Sequence, residues 1–156
     1  MSNDTRKEFM IENAELIFLN FSGRESAYNQ EGQRNFAVVL PQEVADELSA
    51  EGWNVKIGKV QEDSEEPPPL FIQVSVRFDI RPPRITMLTN GGTTRTLLDE
   101  STVGILDVAD IQSVDIICSG YEWGVNGKTG VKAYLKTMFI TMNEDALERK
   151  YGYVEN

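Results

Sequence analysis

The chain has 156 residues, 40% of them hydrophobic and 26% charged, which suits one soluble globular domain with a core of its own. Without histidine and with a single cysteine, Cys118, the sequence excludes imidazole catalysis, His-dependent triads and an internal disulfide, and leaves little to build a zinc cluster. The net charge of −10 argues against a simple basic nucleic-acid binder, but it is uneven: residues 1–70 carry −8, residues 71–142 are neutral, and residues 143–156 carry −2.

Residues 1–12 are polar and show neither a secretory signal nor the start of a membrane span of ~20 apolar residues. Glu15 to Phe21 reads as a strand. The polar stretch from Ser22 to Phe36 follows, and loops of that length are often functional. Arg24, Tyr28 and Arg34 in it are candidates for a nucleic-acid groove, with Tyr28 equally readable as a packing anchor. Arg34 to Leu40 alternates at period two and predicts a strand. Pro41 then opens a helix through Val44 and Leu48, with Gly52 at its C-terminal cap, and the acids Glu43, Asp46, Glu47 and Glu51 form a solvated face.

Trp53 to Lys59 alternates again. Residues 61–69 form an acidic, proline-rich loop expected to be extended and to separate two halves of one domain spanning 1–156. Leu70 to Phe78 is the cleanest alternation in the chain, with Phe71, Gln73, Ser75, Arg77 and Asp79 on its other face. Pro82 and Pro83 stop it. A short strand at Arg84–Leu88, a turn at 90–92 and a short helix capped by Asp99 come next.

Ser113–Trp123 and Val131–Met142 read as two long strands joined by a hairpin at Asn126-Gly127, a pair that tolerates positive φ. A last short helix is expected over 143–151. About eight strands following one another directly, with two or three short helices, predict a mainly β fold: an antiparallel barrel or sandwich.

The hairpin carries the most information. Val131, Ala133, Leu135, Thr137 and Phe139 read as a core face, and Lys132, Tyr134 and Lys136 as the opposite one. For a loop of two or four residues, Tyr121 and Trp123 share that second face with them, and a bulge would break the inference. Lys128 follows the turn in the same acid-free stretch, 124–142. Aromatic rings among lysines suit single-stranded nucleic acid: bases stack at roughly 1–3 kcal/mol each while cations follow the phosphates. Tyr121, Trp123 and Tyr134 are the candidate stacking residues, and Lys132, Lys136 and Arg77 the phosphate contacts, with Phe71 on the same strand face as Arg77. The bland alternative is a second apolar layer with lysines snorkelling at its rim. Gly127-Lys128-Thr129 is not a phosphate loop, because Glu122 stands where that motif needs glycine. Asp99, Glu100, Asp107, Asp110 and Asp115 offer a magnesium-nuclease reading, but nothing supplies a nucleophile or base.

Short motifs across the chain resemble a family of bacteriophage single-stranded DNA-binding proteins. They are Asn20 to Gly23, Tyr28-Asn29, Gly32, Arg34 to Phe36, Gly52 to Lys56, Arg81 to Ile85, Leu98-Asp99, Ala109 to Ile111 and Val125 to Lys136. The resemblance covers roughly Ile11 to Tyr151. It implies an oligonucleotide-binding (OB) barrel without enzymatic activity or cofactor. It also implies single-stranded DNA as partner, a role in phage replication or recombination in the host cytoplasm, and phage or host replication proteins as further partners. The acidic C-terminal tail common in such proteins is not matched by Tyr151 to Asn156, which holds one acid. A protein-interaction or virion-structural β domain is the alternative, and a homodimer through exposed strands is compatible with both.

Overall fold

The computed structural model describes residues 7–27, 29–59, 62–63 and 65–143. Nine strands are present among them: β1 (Lys7–Ile11), β2 (Leu16–Asn20), β3 (Arg34–Leu40), β4 (Val55–Ile57), β5 (Leu70–Val76), β6 (Arg84–Thr89), β7 (Thr94–Leu98), β8 (Ile111–Val125) and β9 (Lys128–Met142). One helix, α1 (Gln42–Ala50), and one 3-10 turn, Val103–Asp107, complete the described elements. The helix expected at 143–151 lies outside the described residues, apart from Asn143.

The mainly β expectation holds, but the closed barrel does not. The strand order β1-β8-β9-β5-β3-β2 has two ends that no pairing joins, so the sheet is not a closed barrel. It is mainly antiparallel, as expected, with β9 pairing in parallel with both β5 and β6. The physical reason lies in β9. One edge carries β8 along its length, whereas the other serves β5 at Ala133–Tyr134 and β6 from Thr137 to Thr141. Between these two stretches the register slips: Cys118 faces Leu135 but Ile117 faces Thr137, leaving Lys136 unopposed. Such a bulge bends its strand and increases the twist, and here the sheet forks at that point.

The bulge also corrects the expected core face. Val131, Ala133 and Leu135 are buried as expected, but beyond Lys136 the buried residues are Met138 and Ile140 rather than Thr137 and Phe139. One inserted residue exchanges the two faces of everything after it.

Two strands escape the sequence reading. β1 lies in the polar stretch 1–12, and its Phe9 packs edge-on against Trp53 with ring centroids 5.0 Å apart. β7 carries four exposed residues in five and pairs only with β6. β4 and β5 pair across the acidic loop, and the Gly58 amide donates to the Pro69 carbonyl at 2.7 Å. The structure does not place Asp99 at a helix N-cap: the 3-10 segment Val103–Asp107 has Thr102 at its N-cap, and Asp99 instead holds the turn before it. Its carboxylate accepts from the Ser101 and Thr102 amides and hydroxyls, which hold it below the ordinary carboxylate pKa. The segment that follows is the 3-10 turn.

The core lies under the sheet's inner face. Phe36, Val38, Ile72, Val74, Ile116, Cys118, Leu135 and Met138 are buried there, with Leu48 of α1 and Leu106 of the 3-10 turn closing it. Burial alone pushes the Cys118 thiol far up its pKa scale, so it is an inert core residue.

Candidate nucleic-acid interface

The hairpin loop has two residues, Asn126 and Gly127, both at positive φ. That register pairs Tyr121 with Lys132 and Trp123 with Gly130, so these side chains leave the ladder on one face, with Lys128 opposite Val125 on the same side. Gly130 makes room for Trp123. A Cβ there would stand 2.7 Å from the indole, so only glycine lets the ring lie across the neighbouring strand.

The Trp123 side of this face forms one wall of a groove of about 820 Å³. Trp123 and Lys132 line it from the hairpin, Gln73, Ser75, Arg77 and Phe78 from the end of β5, and Arg34 and Asn35 from the start of β3. The loop before β3 supplies another wall, from Asn29 to Gln33, and it is held by asparagines. The Asn29 side-chain amide donates to the carbonyls of Arg24, Gln30 and Gln33, and Asn35 donates to the Asn29 oxygen at 2.7 Å. Gly23 and Gly32, both at positive φ, close the loop through a 2.8 Å backbone bond.

The groove's charges are balanced. Arg34, Arg77 and Lys132 face Glu31, Asp79 and Glu100. Arg77 grips Asp79 in a bidentate pair at 2.9 and 2.8 Å. Those hydrogen bonds hold the Asp79 carboxyl down to about 2 and raise Arg77 further. The Arg34 guanidinium lies 5.9 Å from the centre of the Phe78 ring, and its Nε is buried without a hydrogen-bond partner.

Arg34, Arg77, Trp123 and Lys132 are thus brought together, and the other expected residues are placed differently. Tyr121 is 50% exposed on the hairpin face, and Lys128 stands exposed at the tip. Tyr134 is not on an open face: it is 7% exposed, with Arg81 4.9 Å and Lys132 5.3 Å from its ring centre. Arg81 also stands 5.2 Å from the Tyr121 ring, so one guanidinium bridges both tyrosines. Lys136, turned by the bulge, pairs with Glu8 of β1. Arg24 approaches Asp107 at 3.9 Å, outside the groove. Phe71 packs edge-on against Phe18, further along β5. Tyr28 lies outside the described residues.

Arg81, Asn54 and Gln73 were missed as site residues. Arg81 sits in a basic run visible in the sequence, but only its loop's return across the sheet brings it onto the tyrosines. The aspartates of the magnesium reading are otherwise engaged. The Asp107 side chain is 4% exposed and accepts from the Phe21 and Ser22 amides, while Asp115 accepts from the Asn13 amide. Among the described residues no group of three or more Cys, Asp or Glu side chains could hold a metal. No described helix is long and apolar enough to cross a membrane.

A family model described as "Putative phage ssDNA-binding domain" matches residues 1–156. No curated protein matches the chain by sequence. Among solved structures, the single-stranded DNA-binding protein from bacteriophage Enc34 is similar at 7% identity, covering 94% of this chain and 89% of that one, with a TM-score of 0.53. Its C-terminal truncation gives 8% identity, 88% and 87% coverage and a TM-score of 0.54. The same phage protein in complex with ssDNA gives 8%, 88% of each chain and 0.51.

Proposed function

The chain belongs to the phage ssDNA-binding domain family, and on that premise we propose that its groove holds single-stranded DNA by stacking and phosphate contacts, without catalysis and without a cofactor. The fold is then a single OB-like domain in which the forked sheet curls without closing. Its work is to cover single strands during phage DNA replication or recombination in the host cytoplasm.

One observation carries the reading. Trp123, 40% exposed, stands on the wall of a groove that also holds Arg34, Arg77 and Lys132, whose charges offset those of Glu31, Asp79 and Glu100. A ring face accepts any base, so the groove needs no sequence preference. The hairpin pairing supplies the rigid support that stacking requires. Net charge works against the phosphates, so binding weakens steeply with salt.

The test is fluorescence anisotropy of a labelled oligo-dT at low and moderate salt, with duplex as competitor. The expected outcome is salt-weakened binding that duplex does not displace. Trp123→Ala is expected to remain folded and to lose about 5- to 150-fold in affinity, the equivalent of roughly 1–3 kcal/mol of stacking. Absence of binding at low salt in the wild type sinks the proposal.

A further inference from the structure

The outward face of β5 does not end at the groove. Arg77, Ser75, Gln73 and Phe71 follow at every second position on one side of the strand. Phe71 lies about 20 Å from Arg77 at ~3.3 Å per residue. At that end its ring meets Phe18 edge to face, with centroids 5.6 Å apart. Phe18 is 69% exposed and adopts φ 54°, a conformation that a bulky L residue rarely takes. The β2–β3 register slips between Ile17 and Asn20, so Phe18 stands in an irregular stretch of the strand. Lys56 pairs with Phe71 across β4 and β5, and its Nζ reaches Gln73, a groove residue, at 3.5 Å.

We propose that Phe18 and Phe71 form a second stacking step for the same single strand of DNA, with Lys56 holding the phosphate between this step and the groove. The inference rests on the groove reading above. Its occupant is set by continuity: a strand leaving Trp123 and Arg77 along β5 meets Gln73, then Lys56, then the two rings. An ammonium beside an exposed Phe18 ring and a half-buried Phe71 ring matches a phosphate beside a base better than it matches an apolar partner surface.

The test uses the full chain and two oligo-dT lengths, about 6 and about 16 nucleotides, within the range of site sizes of such domains. Phe18→Asn keeps a residue that accepts positive φ, so folding is preserved. It is expected to weaken the long oligonucleotide about fivefold or more and to leave the short one within twofold. Lys56→Gln is expected to lower the log–log salt slope by about 0.7 for the long oligonucleotide alone. Unchanged affinity for the long oligonucleotide in folded Phe18→Asn overturns the proposal, and so does an equal loss on both lengths. Concentration-dependent dimers abolished by Phe18→Asn, with DNA binding intact, assign the rings to a second copy instead. If the wild type binds neither length, the groove reading itself fails; if Trp123→Ala weakens both lengths and Phe18→Asn neither, only the second step does.

Discussion

The base and the tip of the β8–β9 hairpin belong to one ladder and behave as two materials. Toward the base, Val114, Ile116 and Cys118 face Ile140, Met138 and Leu135, all buried, with β1 and β6 hydrogen-bonded on either side. Toward the tip every residue from Tyr121 to Thr129 is exposed, and the ladder runs past the core. Pairing continues at both ends, the two register slips lying toward the base. What differs is the neighbours each end finds, and that difference separates stability from binding. Trp53 marks the boundary: it is buried against Gly120 and Val131, and the parallel bridge to Val131 holds it there.

The sharpest way to break the comparison is a cavity at the base. Leu135→Ala is expected to cost about 2–5 kcal/mol in urea unfolding, with single-strand affinity of the folded fraction unchanged. Equal loss of stability from Trp123→Ala at the tip would erase the distinction.

Two glycines of the same hairpin give the next test. A Cβ at Gly120 meets Trp53 and Val131 at 2.6 Å inside the core, so Gly120→Ala is expected to destabilise by about 1–3 kcal/mol. A Cβ at Gly130 meets the partly exposed Trp123 ring, which can swing away. Gly130→Ala is therefore expected to cost under about 0.5 kcal/mol in stability and several-fold in affinity. A similar unfolding cost for both variants would show that the tip is packed like the base.

Lys132→Ala acts on the tip alone and is expected to lower the log–log salt slope by about 0.7, one phosphate's share. An unaltered slope would remove Lys132 from the phosphate path.

The smallest effect belongs to Asp79, which competes for Arg77. Asp79→Asn is expected to tighten binding about two- to fivefold at neutral pH, the scale of an exposed ion pair. Its pH signature has a definite sign. The carboxyl is depressed from 3.8 to about 2, so its small stabilising contribution is complete above 3.8 and disappears as pH falls through about 2. Urea midpoints of wild type and variant should converge across that window; a gap that widens on acidification contradicts the pairing.

Much of this was legible in the residues. Alternation located β3, β5 and both hairpin strands, and Asn126-Gly127 marked a turn of two or four residues, either of which puts Tyr121, Trp123 and Lys132 on one face; the structure takes the two-residue form. Local chemistry suffices for such features, because period and turn geometry are written within a few residues. β1 and β7 were not legible: β1 is a five-residue edge strand in the polar N-terminal stretch whose partner β8 lies over 100 positions away, and β7, with four exposed residues in five, is a short hairpin arm on β6 alone. Nor was the burial of Tyr134, which needs Arg81 to return over it from a loop about 50 positions away.

The sequence by itself determined a histidine-free, mainly β chain with an aromatic and basic hairpin and a motif set that resembles its family. The tertiary structure alone decided the fork at Lys136, the burial of Tyr134 beneath Arg81 and the meeting of Arg34 with Trp123 in one groove. The reason is physical: periodicity fixes which way a side chain points from its own strand, whereas its neighbours depend on how strands far apart in the chain are laid side by side.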